Sequence, residues 1–259
     1  MADIEKILEN LNLPKQLLDK SEALIKTLFG PSFDEIGGMI SDSVKLRRFK
    51  NQLKIFGKAQ EILKEKNIDP KKVSLKVLAP LIDYSSLEEE EELQVKWSKL
   101  TAHILSVTSD TVFHQNCISI LNKLSSEEAV LLDQLHDKLN QKRTSKFQTQ
   151  EAYSQQTISR ELIPLKPPSP GGYPLDHFTY SISAISKEMN LPKNTIQFSV
   201  SNLVALGLLK WETDVEVDAE KASEDPEDRN IEVNVDVYNN DDFIFTPLGD
   251  RFVEVCEKG

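Results

Sequence analysis

Four histidines, two cysteines and six arginines are the residues of this 259-residue chain best suited to bond-making chemistry, and their spacing argues against it. His103, His114, His136 and His177 are scattered, and none stands at a metal-motif interval from another or from Cys117 or Cys256. The chain has no Gly-rich phosphate loop and no Gly-x-Ser-x-Gly elbow. One class of helical ribonucleases places a His shortly after an Arg as a general acid-base pair. Arg47, Arg48, Arg143, Arg160, Arg229 and Arg251 have no such His. His103 and His114 can lie on neighbouring helices, where partly exposed histidines are the simpler expectation. The two cysteines read as buried thiols. Catalytic, cofactor-binding and metal residues are therefore expected to be none, and a non-enzymatic protein with no evident small-molecule substrate follows.

Residues suited to contact are easier to find. Arg47, Lys50, Lys54 and Lys58 recur at helical intervals, so they share one face of a helix whose other face carries Phe49, Leu53 and Phe56. That basic face suits an anionic membrane surface, nucleic acid, or an acidic segment of this or a neighbouring chain. A second set, Lys193, Asn194, Gln197 and Ser201, lies where the second helix of a helix-turn-helix would enter a major groove, with Lys187 and Lys210 nearby for phosphates. Charge opposes that use. The net charge is −11, and 13 acids crowd the segment from Glu212 to Asp242 against only Lys221 and Arg229. Since phosphate neutralisation supplies most nonspecific affinity, such a segment repels a duplex, and DNA is a disfavoured partner.

The elements that must hold these residues are mostly helical. Ile4, Ile7, Leu8 and Leu11 predict a short helix, Leu17 to Leu28 a second, and residues 33–66 a long one whose seam includes Leu46, Phe49, Leu53 and Phe56. That seam is expected to serve packing or oligomer contact. Asn67-Ile68-Asp69-Pro70 breaks the long helix, and Ser74 and Asp110 can cap later ones. Glu88 to Glu92 read as the acidic start of a helix. Ser125-Ser126-Glu127-Glu128 is a capping-box arrangement. Residues 141–156 are polar with little periodicity, and the prolines from Pro164 to Pro174 predict an irregular loop. Ile182, Ile185 and Met189, then Ile196, Val200, Leu203 and Leu206, mark two helices parted by Asn190-Leu191-Pro192. Strands follow at Leu208 to Trp211 and Asp242 to Thr246, and a last helix at Pro247 to Phe252. The fold expected is mainly α, an N-terminal multi-helix domain over 1–122 and a winged helix-turn-helix with a long acidic wing over 123–259. No apolar run approaches the roughly 20 residues of a membrane span, and a cytoplasmic location is expected.

The front half carries, in order, Phe33-Asp34-Glu35-Ile36-Gly37-Gly38-Met39-Ile40-Ser41-Asp42, Arg48-Phe49-Lys50-Asn51, Lys76-Val77-Leu78-Ala79-Pro80-Leu81-Ile82, Ser85-Ser86-Leu87-Glu88, and Glu92-Leu93-Gln94 leading to Trp97. In that order these pieces resemble the Abi-alpha family of bacterial proteins associated with abortive infection. The resemblance runs from about Gly30 to Leu135 and implies a helical domain with a role in defence against phage. It brings no assigned catalytic residues. The C-terminal module looks like a winged helix appended to that domain. The function expected is a non-enzymatic defence component working through a protein partner or self-association, the alternative being a winged-helix DNA-binding regulator.

Overall fold

The computed structural model describes residues 43–107, 110–158, 174–175, 178–221 and 231–258, with backbone alone over 43–46, 151–158, 213–221, 231–232, 234–240 and 258. The elements in order are α1 (Ser43–Glu65), α2 (Leu75–Ser85), α3 (Glu91–Ser106), α4 (Thr111–Leu121), α5 (Ser126–Ile158), β1 (Tyr180–Ser181), α6 (Ile182–Met189), α7 (Lys193–Ala205), β2 (Leu209–Lys221), β3 (Ile231–Phe245) and α8 (Pro247–Lys258). The protein is thus mainly helical, with one small antiparallel sheet toward its C-terminus. Contacts divide it into two compact units: the residues up to Asp133 with those from Arg251 onward, and Gln134–Asp250. The two helices expected before Gly30 lie outside the described residues, as does the start of the long one.

In the first unit α1 packs mainly on α3, and α2 on α4. The apolar seam of α1 explains why: Phe49, Leu53, Phe56 and Leu63 are buried, as are Trp97, Leu100 and Ile104 of α3. Burial of each such aliphatic or Phe side chain contributes about 1.5–3 kcal/mol. The seam is therefore core of its own unit at Phe49, Leu53 and Phe56; the Leu46 side chain lies outside the description. After α1, Asn67 takes a left-handed φ of 53°, the Ile68 N–H donates to the Leu63 carbonyl (2.9 Å), and the helix closes before Pro70. Ser74 Oγ accepts from the Lys76 N–H, so it caps α2 as its type predicts. At Ser125 the box is reciprocal, its Oγ accepting from the Glu128 N–H (3.2 Å) and its N–H donating to Glu128 Oε2 (3.0 Å).

One local expectation fails and one open stretch is resolved. Asp110 sits at the N-cap of α4 but makes no capping bond, because Arg251 claims its carboxylate instead. Residues 141–156, whose lack of periodicity left their structure open, are helical: α5 runs unbroken through them to Ile158. They hold five Gln, two Lys and Arg143 and neither Gly nor Pro, and such straight-chain residues lose little rotamer freedom in a helix.

The second unit is built on the last turns of α5 and a sheet of order β1-β3-β2, antiparallel throughout. Between α6 and α7, Asn190 turns the chain at φ 53°, and Ser186 Oγ donates to the Leu191 carbonyl (2.6 Å). Gly207 ends α7 at φ +77°, a region open to glycine at little cost. Gly249 answers a different need, since a Cβ there would lie 2.0 Å from the Leu208 carbonyl oxygen. Ile182, Ile185, Ile196, Val200 and Leu203 pack with Phe243 and Phe245 in the buried interior, where Tyr180 stacks on Phe243 with centroids 5.7 Å apart.

Candidate interaction surface

The basic face of α1 is where its spacing puts it, but it is not bare. Arg47 lies 3.9 Å from Glu89 and Lys58 3.9 Å from Glu91, and both pairs are largely exposed. Arg48 is held harder, its Nε donating to Ser86 Oγ at 2.8 Å while its guanidinium pairs with Asp83. Lys50 and Lys54 are half-buried. The glutamates before and within the first turn of α3 thus already offset part of this positive charge.

The face of α7 is different. Lys193, Asn194, Gln197 and Ser201, the residues named for contact with DNA, are all exposed, whereas Ile196, Val200 and Leu203 turn inward. Among the exposed residues stands Phe198, 75% exposed. Helical spacing places Asn194, Gln197, Phe198 and Ser201 on one stripe. The sequence carries the signal for this residue, an aromatic out of phase with the buried Ile196-Val200-Leu203 set, although polar base-reading types alone do not single it out.

The histidines occupy two separate environments. In the first unit His103 and His114 meet edge to face, centroids 5.6 Å apart, and His114 is only 2% exposed, so the expectation of partly exposed rings fails for it. Both Nε2 atoms are buried without a hydrogen-bond partner among the described residues. Burial first, then the His114 ring and the Arg251 guanidinium, hold His103 below its usual range; burial and Arg251 do the same to His114 against the opposing charge of Asp110. Arg251 pairs with Asp110 and lies over the Phe113 ring at 4.0 Å. A cleft of about 420 Å³ opens beside His103, with Lys66, Ser106 and Glu254 on an otherwise largely apolar wall. In the second unit His136 is fully buried, its Nε2 3.1 Å from Asp250 Oδ1, and Arg143 donates to both oxygens of that carboxylate at 2.9 and 2.8 Å. Burial opposes ionisation of Asp250, but these hydrogen bonds and the guanidinium charge outweigh it and bring the carboxyl down to about 2. His177 lies outside the described residues.

Cys117 and Cys256 are buried free thiols; desolvation pushes Cys117 up to about 12 and Cys256 well above its usual range. Among the described residues no three His, Cys, Asp or Glu side chains converge to hold a metal ion, and no helix is long and apolar enough to cross a membrane.

A mainly helical protein with a small antiparallel sheet and charged, accessible faces is the class these features define. The chain belongs to the abortive infection alpha family, whose profile matches residues 42–256. The match extends well past Leu135, through α7 and the sheet, so the C-terminal unit is part of what the family shares rather than an appendage. No curated protein matches the chain. No solved structure does either.

Proposed function

We propose that this chain is a non-enzymatic, cytoplasmic component of bacterial abortive-infection defence that acts by protein contact. Family membership supports the defence role. The single observation supporting contact is Phe198, three-quarters exposed between Asn194, Gln197 and Ser201 on α7. A large aromatic held out of the core on a rigid helix is the kind of residue that anchors interfaces, where rings dominate the binding energy. The order β1-α6-α7-β2-β3 fits a winged helix-turn-helix, with α7 in the recognition position and β2-β3 as the wing. In this reading the module presents its recognition helix to protein, because the acidic wing beside it disfavours a duplex.

The test is a plaque assay on cells carrying the wild-type chain or Phe198→Asp, with folding checked by thermal melting. We expect protection against a restricted phage to be lost in the variant while the melting temperature stays near wild type. Full protection by Phe198→Asp, or loss of protection on substituting His103 or His114 in a folded protein, would overturn the reading in favour of another surface or of chemistry at the histidine cleft.

A further inference from the structure

The acid-rich segment is two-faced. In the β2-β3 register Val215 lies opposite Val237, Val217 opposite Val235, Ala219 opposite Val233 and Lys221 opposite Ile231. The intervening pairs are Asp214 with Tyr238, Glu216 with Asp236, Asp218 with Asn234 and Glu220 with Glu232. Successive residues of a strand alternate between faces and directly opposed residues share one, so the ribbon has one largely apolar face, with five valines, Ala219 and Ile231 beside Lys221, and one rich in carboxylates. Val233, on the apolar face, is 54% exposed. Strand β1 pairs only with Phe243 and Asp242, so the ribbon beyond has two strands and two free edges among the described residues.

We propose that this ribbon is a docking site for a basic amphipathic segment of a partner protein, one with an apolar stripe flanked by lysines or arginines. Charge decides against the other occupants. Nucleic acid and anionic lipid meet six carboxylates on the opposite face of a ribbon only two strands wide. A second copy could pair valine face to valine face, but the area is too small: paired strands of about nine residues cover roughly 30 Å by 10 Å, about 300 Å² a side, against the roughly 800 Å² per partner of a stable interface. Such pairing would also bring two strongly acidic ribbons together. A basic amphipathic helix meets the same small apolar area but not the acid-against-acid repulsion, and its cationic side chains add contact that a second acidic ribbon lacks. Its apolar stripe covers the valines, and its long cationic side chains reach round the free edges toward the carboxylates. The register sets Glu216 opposite Asp236 and Glu220 opposite Glu232, and like charges at directly opposed positions are unfavourable. A cationic partner relieves that repulsion, which an apolar partner alone would not.

This inference deepens the protein-contact reading but rests on a different surface from Phe198, so failure here leaves the Phe198 experiment standing. The probe is a labelled synthetic helix with a leucine stripe flanked by lysines, titrated with the full chain at low and high salt, beside a control of equal charge with serine for leucine. We expect the leucine peptide to bind, the serine peptide to bind far more weakly, and Val217→Ser with Val235→Ser to weaken binding by about tenfold or more. Glu216→Gln with Asp236→Asn, which leaves the valines in place, should weaken binding and flatten its salt dependence. The proposal falls if the wild type does not bind at low salt or if the serine peptide binds equally. It falls too if sedimentation shows the wild type self-associating and the valine variant monomeric, for then the occupant is a second copy.

Discussion

Asp250 shows how one residue can concentrate the electrostatics of a unit. Its carboxylate takes both guanidinium donors of Arg143, which is 3% exposed, and faces His136, which is fully buried. Removing one partner of such a pair leaves the other charge stranded, so Arg143→Met should destabilise the protein by about 3–5 kcal/mol in urea unfolding. The pH dependence has a definite sign. Asp250 ionises near 2 when folded against 3.8 in the open chain, so its contribution is complete above about 4 and is lost as the pH falls toward 2. His103 and His114 act in a different window. Both are held below 6.5 when folded, so the unfolded chain takes up protons first and stability declines as the pH falls below that value. Urea midpoints measured from pH 7.5 to 5 should fall for the wild type and fall less for His114→Gln.

At the scale of elements, close approach and capping decide where the chain turns. Gly249 opens α8 against the Leu208 carbonyl, and a methyl group there would sit 2.0 Å from that oxygen. Gly249→Ala should therefore cost about 1–3 kcal/mol of stability, read as a lowered urea midpoint. Ser125→Ala, which opens the capping box of α5, should cost about 1 kcal/mol in the same measurement. The capping box was legible in the sequence, as were the break at Asn67, the cap at Ser74 and the two helices around Asn190, because each depends on a local conformational preference. Two things were not. The polar run in α5 lacks an apolar stripe, so periodicity could not distinguish a solvated helix from a loop, although its helix-forming composition could have. In β2 and β3 the count of acids hid the valines between them; the period-2 alternation was there to read, but only the register shows that the valines of both strands share a face. The Arg143-Asp250-His136 cluster joins residues more than 100 positions apart, and local pattern carries no trace of such a meeting.

For the molecule as a whole, the question is which partner its charge admits. The chain carries −11, and the segment from Glu212 to Asp242 accounts for an equal amount, so the rest is neutral on balance. A winged module that reads DNA needs its wing and recognition helix to neutralise phosphates together, each contact adding to the salt dependence of binding. Here the exposed face of α7 offers Lys193 as its one cation among the residues named for DNA contact, with Lys187 and Lys210 exposed nearby, beside strands carrying many carboxylates. An electrophoretic mobility-shift titration of the full chain with duplex DNA in low salt should therefore give no discrete complex, and Lys193→Ala and Gln197→Ala should change nothing. Were a complex to form, weaken on both substitutions and weaken further with added salt, α7 would be a reader of DNA. The Phe198 stripe would then require a nucleic-acid explanation, since an aromatic side chain among polar base-reading groups can also contact a thymine methyl. A result of no complex, together with loss of phage protection in Phe198→Asp, is the pair of outcomes that only protein contact accounts for.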